Sequence, residues 1–351
     1  MKRMDLSMAA ALMAALLIFN GCKSPNPESA KATGWLNWRG PHQNGTSDET
    51  GLPADLEVEG AKKNLLWTRD IAGRGHAVVA NGRVYCWGYR GDGPDLQEVL
   101  QCLDEKDGKV LWEHAYNDYL SDTVYSRYTV GAATVDAETG FIYLMTTNGG
   151  VKCFAPDGKM VWEYSLMERF GRLTFPNGRT GSAVIDGELV IVRGITAFWG
   201  KQGPARDRFY AFDKTSGNLV WASTPGVRPT DSSFSTPVFA ERAGKRVFYA
   251  GTGCGNIVCV DARTGAPISR FQLLRGGVNS SVVLHKDLVI AIHGKENVDA
   301  TEMGRMVAIK KPAKLPGPGE SPLLLGKESE QWRNNDLEAF TSTPVYRKGR
   351  V

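Results

Sequence analysis

Few residues in this chain are arranged for chemistry, and each arrangement points to a different reaction class. Lys295-Glu296-Asn297 with Asp299 gathers carboxylate and amide oxygens along one short stretch, the donor type that a hard cation such as calcium takes. A solvated loop is the plainer account of the same residues. The histidines stand at 42, 76, 114, 285 and 293 without ligand spacing, and His285 is expected in a turn. Gly73-Arg74-Gly75 lacks the strand–turn–helix setting of a dinucleotide loop, and no Gly-x-Ser-x-Gly elbow occurs. Beyond Cys22, the cysteines at 86, 102, 153, 254 and 259 form neither a CxxC nor an adjacent pair. Cys102, Cys153 and Cys259 hold a position that Ala211 and Ala308 hold elsewhere, so they are expected to act as small buried hydrophobes.

A second group of polar side chains recurs just ahead of apolar runs. It comprises Arg74 and His76; Arg179 and Thr180; Ser235 and Thr236; Asn279 and Ser280; Ser342 and Thr343. If those runs are the innermost strands of a wheel, these residues converge on one opening. Their hydroxyl, amide and guanidinium groups then suit a ligand or a partner's edge strand. Equally, they would hydrate the channel and satisfy loop backbone.

The elements that would position them come from a repeat. Its clearest copy is Ala211-Phe212-Asp213-Lys214-Thr215-Ser216-Gly217-Asn218-Leu219-Val220-Trp221. Cys102 to Trp112, with Asp104 and Gly108, is another. Cys153 to Trp162, with Gly158, is one residue shorter. Cys259 to Ser269, with Asp261 and Gly265, has serine where tryptophan falls elsewhere. Trp67, Trp112, Trp162, Trp221 and Trp332 set a period near 50 residues, the size of a propeller or solenoid unit. Between the copies, runs such as Arg246-Val247-Phe248-Tyr249-Ala250 and Ile257-Val258-Cys259-Val260 read as strands separated by Gly or Asp turns. Four short antiparallel strands per period make a propeller blade. In the motif, Asp accepts turn N–H groups, Gly tolerates left-handed backbone, and Trp covers the neighbouring blade. Removing such an indole is expected to cost about 3–5 kcal/mol.

The Ala-x-Asp-x-x-[Ser/Thr]-Gly-x-x-x-Trp pattern resembles the tryptophan-docking motif of the PQQ-like (quinoprotein) β-propeller superfamily. The opening Trp35-Leu36-Asn37-Trp38-Arg39-Gly40-Pro41, Gly51-Leu52-Pro53 and Asn64-Leu65-Leu66-Trp67 resembles the start of bacterial PQQ-binding-like repeat proteins. The resemblance implies an all-β fold and admits two functions. One is a non-catalytic envelope scaffold for a protein or peptide partner, needing no cofactor and monomeric, similar to the propeller lipoprotein of the outer-membrane β-barrel assembly machinery. The other is a periplasmic dehydrogenase of alcohols or sugars that uses PQQ and calcium. The missing Cys-Cys pair and the lack of an assignable metal constellation favour the scaffold.

The chain ends resemble export and interruption. Lys2 and Arg3 precede an apolar run, Met8 to Phe19, too short to span a bilayer. Phe19-Asn20-Gly21-Cys22 resembles a lipobox, which implies cleavage of residues 1–21 and a lipid on Cys22; an ordinary secretory signal would leave a soluble periplasmic protein. Lys23 after the cysteine implies outer-membrane sorting, with the protein facing the periplasm. Residues 22–34 read as a flexible tether, 35–66 as a lead-in, and 67–351 as the propeller, with a Pro/Gly-rich insertion at 311–331. Thr341 to Val351 repeats the opening of a blade, so the expectation is a fragment of a ring of roughly seven or eight blades. Net charge is +4 without a basic run, which argues against nucleic acid.

Overall fold

A computed structural model describes residues 31–60, 62–117, 128–170, 181–196, 198 and 200–351. The signal segment, Cys22, Arg179 and Thr180 lie outside the described residues. The described chain is built from five antiparallel sheets of four consecutive strands each, two of them carrying an added fifth strand. Blade one is Val78–Ala80, Arg83–Arg90, Gln97–Asp104 and Val110–Asn117; blade two is Thr134–Val135, Ile142–Met145, Gly150–Phe154 and Met160–Ser165. Blade three is Val184–Asp186, Leu189–Thr196, Arg206–Asp213 and Leu219–Ser223. Blade four is Val238–Arg242, Lys245–Gly251, Asn256–Asp261 and Pro267–Gln272; blade five is Val283–His285, Leu288–Glu296, Met303–Lys310 and Glu330–Asn334. His285 thus ends a strand rather than sitting in a turn, because it pairs with Leu288 across the tight turn that follows.

Blades stack face to face, so their middle strands are covered on both sides. Leu189–Thr196 and Asn256–Asp261 are buried throughout, which is why they read as continuous apolar runs rather than as alternations. The outermost strands, such as Met160–Ser165, are half exposed. Successive apolar clusters lie between blades one and two, two and three, three and four, and four and five. Beyond blade five, the described chain covers the sheet only with Ala339 and Tyr346 from the start of a sixth unit. The result is an open β-propeller arc.

Every blade carries the same register shift between its third and fourth strands, at Cys102/Leu103, Cys153/Phe154, Ala211/Phe212, Cys259/Val260 and Ala308/Ile309. Just before the shift, the small residue faces Trp112, Trp162, Trp221, Ser269 or Trp332. A bulge here re-aims the fourth strand and its side chain.

Two segments reach outside their expected places. Residues 31–36 are already built into the structure: Ala32 is buried, and Gly34–Trp35 pairs with Val79 and Ala80. Val135 of blade two donates its N–H to Leu36 O at 2.8 Å, so this strand bridges the inner edges of two blades. The expected tether boundary at 34 therefore falls inside a strand. Within the 311–331 insertion, Leu323–Leu325 runs parallel to Pro267–Gln272 and extends blade four.

Candidate functional site at the ring mouth

The segments that enter the inner strands bring residues of every unit to a common opening. In register, the chain enters its inner strands through Arg74-Gly75-His76, Val130-Gly131-Ala132, Gly181-Ser182, Phe234-Ser235-Thr236, Asn279-Ser280-Ser281 and Thr341-Ser342-Thr343. A cavity of about 580 Å³ opens here, and its walls include Trp38, Arg74, Val130, Phe234, Asn279 and Phe340. A second cavity of about 440 Å³ shares Arg74, Phe234, Asn279 and Phe340 with it, and adds Asp231 and Lys295. Lys295 is ion-paired with Asp231, and its ammonium lies 5.3 Å from the Phe340 ring centroid.

Of the expected mouth residues, Arg74, Thr236, Asn279 and Ser342 line the larger cavity. Several of the expected hydroxyls, Thr236 among them, serve the scaffold instead. Ser182 Oγ accepts the N–H of Ala132 at 2.8 Å, and Thr236 Oγ1 accepts that of Ser182 at 3.1 Å. Ser281 Oγ accepts from Thr236 N at 2.7 Å, and Thr343 Oγ1 from Ser281 N at 2.9 Å. From blade three to the sixth unit, the hydroxyl thus satisfies the inner-strand N–H of the blade before it. Such a donor has no ladder partner, and leaving it buried and unpaired is costly. Ser235 Oγ accepts the Gly251 N–H at 2.8 Å. His76 Nε2 lies 3.4 Å from Asn37 O, and burial lowers its pKa. Ser280 is buried, and its hydroxyl has no partner among the described residues.

A buried network holds the loops that carry Phe234 and Asn279. Arg193, 3% exposed, donates from Nε to Asp207 Oδ1 at 2.7 Å, and from Nη1 to Ser233 Oγ at 2.8 Å and Gly251 O at 2.9 Å. Ser233 in turn donates to Val278 O. Asp207, fully buried, also accepts the Gly253 N–H at 2.7 Å. Arg193 and Asp207 look like ordinary strand charges in the sequence. Trp38, Val130, Phe340 and Thr341 were likewise not among the expected residues; Phe340 and Thr341 stand just before the repeated hydroxyl of Thr343, whereas Val130 precedes Ala132 and Trp38 belongs to the lead-in, so neither carried that signal.

The carboxylate cluster does not fit a calcium site. Asp299 is ion-paired with Arg305 at 2.7 Å and Arg333 at 2.8 Å. The Arg333 hydrogen bond, aided by Arg305, holds its carboxyl down at about 2. Asn297 donates to Glu302 O and Gly304 O, and its Oδ1 faces His293 Nε2 at 3.1 Å. These oxygens are already committed to protein partners.

The tryptophans lie between blades. Trp67 Nε1 donates to Glu105 O, Trp112 to Pro156 O, Trp162 to Lys214 O and Trp221 to Ala262 O, at 2.8–3.2 Å. A Cβ on Gly108, Gly158, Gly217 or Gly265 would fall 2.6–2.8 Å from the facing ring, and all four glycines have φ between 70° and 90°. Backbone sign and ring contact therefore both call for glycine. Asp104, Asp213 and Asp261 accept N–H groups inside the same turns. The thiols beside them are inert: burial pushes Cys102 up to about 11, and Cys153 and Cys259 up to about 12.

A family profile described as outer membrane protein assembly factor BamB matches residues 56–203 and 205–311. The chain belongs to the BamB family. No curated protein matches it. Among solved structures, BamB from Moraxella catarrhalis is similar at 17% identity, covering 76% of this chain and 62% of that one, with a TM-score of 0.45. A europium-containing methanol dehydrogenase aligns at 13% identity over 70% of this chain and 50% of its own, TM-score 0.49. The quinohemoprotein alcohol dehydrogenase of Comamonas testosteroni aligns at 14% over 70% and 40%, TM-score 0.41. This BamB-family chain thus spans 62% or less of the length of these three structures.

Proposed function

We propose that this protein is a non-catalytic propeller scaffold of the bacterial envelope, lipid-anchored through Cys22, that holds a protein partner at the ring mouth. The observation that carries this reading is the cavity of about 580 Å³ lined from the lead-in, several blade entries and the start of the sixth unit. It is walled by aromatic, amide and guanidinium groups, while the nearest carboxylate cluster is spent on arginines. Membership of the BamB family supports a role in outer-membrane assembly and a periplasm-facing location. In this reading the indoles lock the blades and take no part in binding. Among the described residues, no helix is long and apolar enough to cross a membrane.

The test places a photo-crosslinking residue at Thr341 in the full chain in its envelope. Saturable crosslinks to one envelope protein, lost when Phe234 becomes alanine, are expected. Crosslinks equally strong from the outer face of blade three would refute the site. PQQ- and calcium-dependent dye reduction by the purified full chain would overturn the non-catalytic reading. Cys22→Ser is expected to yield a soluble, unlipidated protein; unchanged detergent partitioning would remove the anchor.

A further inference from the structure

In a repeat, positions fixed by the scaffold look alike from blade to blade, and positions free of it can diverge. The mouth separates these two kinds over three consecutive residues. The third position is His76 and Ala132 in the first two units and then Ser182, Thr236, Ser281 and Thr343, each of these four accepting the preceding blade's N–H. The second is Gly75, Gly131 and Gly181, then Ser235, Ser280 and Ser342. A Cβ on Gly181 would lie 2.6 Å from Thr236 Oγ1 and 2.8 Å from Phe234 O, so the next blade's approach limits its size. The first position obeys no such rule: it is Arg74, Val130, Phe234, Asn279 and Thr341, and all five line the larger cavity.

One of these five carries an unmet demand. Asn279 is 6% exposed, lines both cavities, and its Oδ1 has no hydrogen-bond partner among the described residues. A buried amide oxygen left this way costs free energy that a donor would recover. Phe234, Phe340 and Trp38 supply the apolar wall beside it.

Resting on the scaffold reading above, we propose that the first-position side chains form the recognition set of the mouth, and that they read an extended peptide segment. A peptide N–H satisfies Asn279, and an aromatic or aliphatic side chain of the same segment enters between Phe234, Phe340 and Trp38. A side-chain amide beside an apolar wall suits the alternation of backbone amide and side chain along an extended peptide. The hydroxyls of Ser182, Thr236, Ser281 and Thr343 hold the ring and do not discriminate.

The Trp38 indole signal in a ¹⁵N–¹H spectrum of the full-length protein reads this directly. N-acetyl-phenylalanine methylamide is expected to shift it saturably, N-acetyl-glycine methylamide about tenfold more weakly, and methyl α-D-glucopyranoside not at all. Asn279→Leu and Phe234→Ala should each weaken the phenylalanine probe by about tenfold. Because those variants alter a buried and a half-buried residue, Thr341→Trp provides a second arm: Thr341 is exposed, so the added indole fills the cavity without touching the core and should abolish binding. Binding of the glucoside in preference to the blocked amino acids overturns the proposal. So does full affinity in all three variants. If partner crosslinks still map to the mouth while these variants bind normally, the recognition set is wrong and the scaffold reading survives. Crosslinks that map elsewhere remove both.

Discussion

The boundary between blades four and five lacks the indole–glycine pair found at the preceding boundaries, and what replaces it can be tested quantitatively. Ser269 stands opposite Cys259, where the other blades place tryptophan. The turn of blade five that would receive that indole is the long insertion. The two departures match. Leu323–Leu325 pairs with Ser269, Arg270 and Phe271, and Leu315 and Leu325 pack on the cluster containing Tyr249, Cys259, Ile268 and Ile309. Arg242 fastens the insertion by donating to Pro312 O at 2.8 Å. Ser269 is 3% exposed despite lacking an indole to shield it. Full burial makes Leu→Ala cost about 2–5 kcal/mol, so these half-buried leucines should cost about 1–2 kcal/mol each. Ser269→Trp in the native background should destabilise by about 1–3 kcal/mol through overpacking. In a variant whose residues 310–328 are replaced by the short turn Asp261–Gly265 of blade four, the same Ser269→Trp should stabilise. A double-mutant cycle from urea unfolding, followed by near-ultraviolet circular dichroism, measures the coupling, expected to exceed about 1 kcal/mol. A coupling within error of zero would show that the insertion does not stand in for the indole.

Trp162→Ala should cost about 3–5 kcal/mol, whereas Trp332→Ala in this chain should cost less than half of that, because Trp332 is 38% exposed; urea midpoints compare the two. Asp207→Asn leaves Arg193 buried without its counter-charge and should cost about 3–5 kcal/mol, while a joint Arg193→Met, Asp207→Leu change recovers much of the loss; thermal melts of single and double variants decide it. His293 is buried and its pKa is depressed to about 4. The unfolded chain therefore takes up a proton that the folded one refuses between pH 6.5 and 4, so the contribution is complete above 6.5 and is lost as pH falls through that window. His293→Gln should flatten the stability profile there, and an unchanged slope in urea midpoints would reject the assignment.

The fold was legible because its signal is written several times. One Asp-to-Gly turn means little, but Asp104, Asp213 and Asp261 recurring ahead of Gly108, Gly217 and Gly265 average away the noise of any single copy. The open arc was legible for the same reason: Thr341-Ser342-Thr343-Pro344-Val345 repeats Phe234-Ser235-Thr236-Pro237-Val238. The lead-in was harder. Ala32 and Gly34 lie in a polar stretch, and only the free inner edges of blades one and two turn it into a strand. His285 was read as a turn residue because Lys286-Asp287 follows it. The turn is those two residues, and His285 closes the strand.

Arg74, Thr236, Asn279 and Ser342 share the wall of one cavity, but the roles of the expected hydroxyls were not legible in the sequence, and the reason is physical. A hydroxyl that meets a ligand and one that caps a neighbouring strand's N–H are the same residue type, so Thr236 and Thr343 could not be told from Ser342 before the blades were side by side. Repetition itself separates the roles once the register is known. The hydroxyl that recurs from Ser182 through Thr236 and Ser281 to Thr343 answers a need those successive units share, an unpaired N–H on the inner strand of the blade before. Arg74, Val130, Phe234, Asn279 and Thr341 share a position and nothing else, so no scaffold requirement selected them together. What they do share is the wall of one cavity. In a propeller, then, the residues that break the repeat at a converging position are where binding specificity should be sought, and the residues that keep it are where stability should be sought.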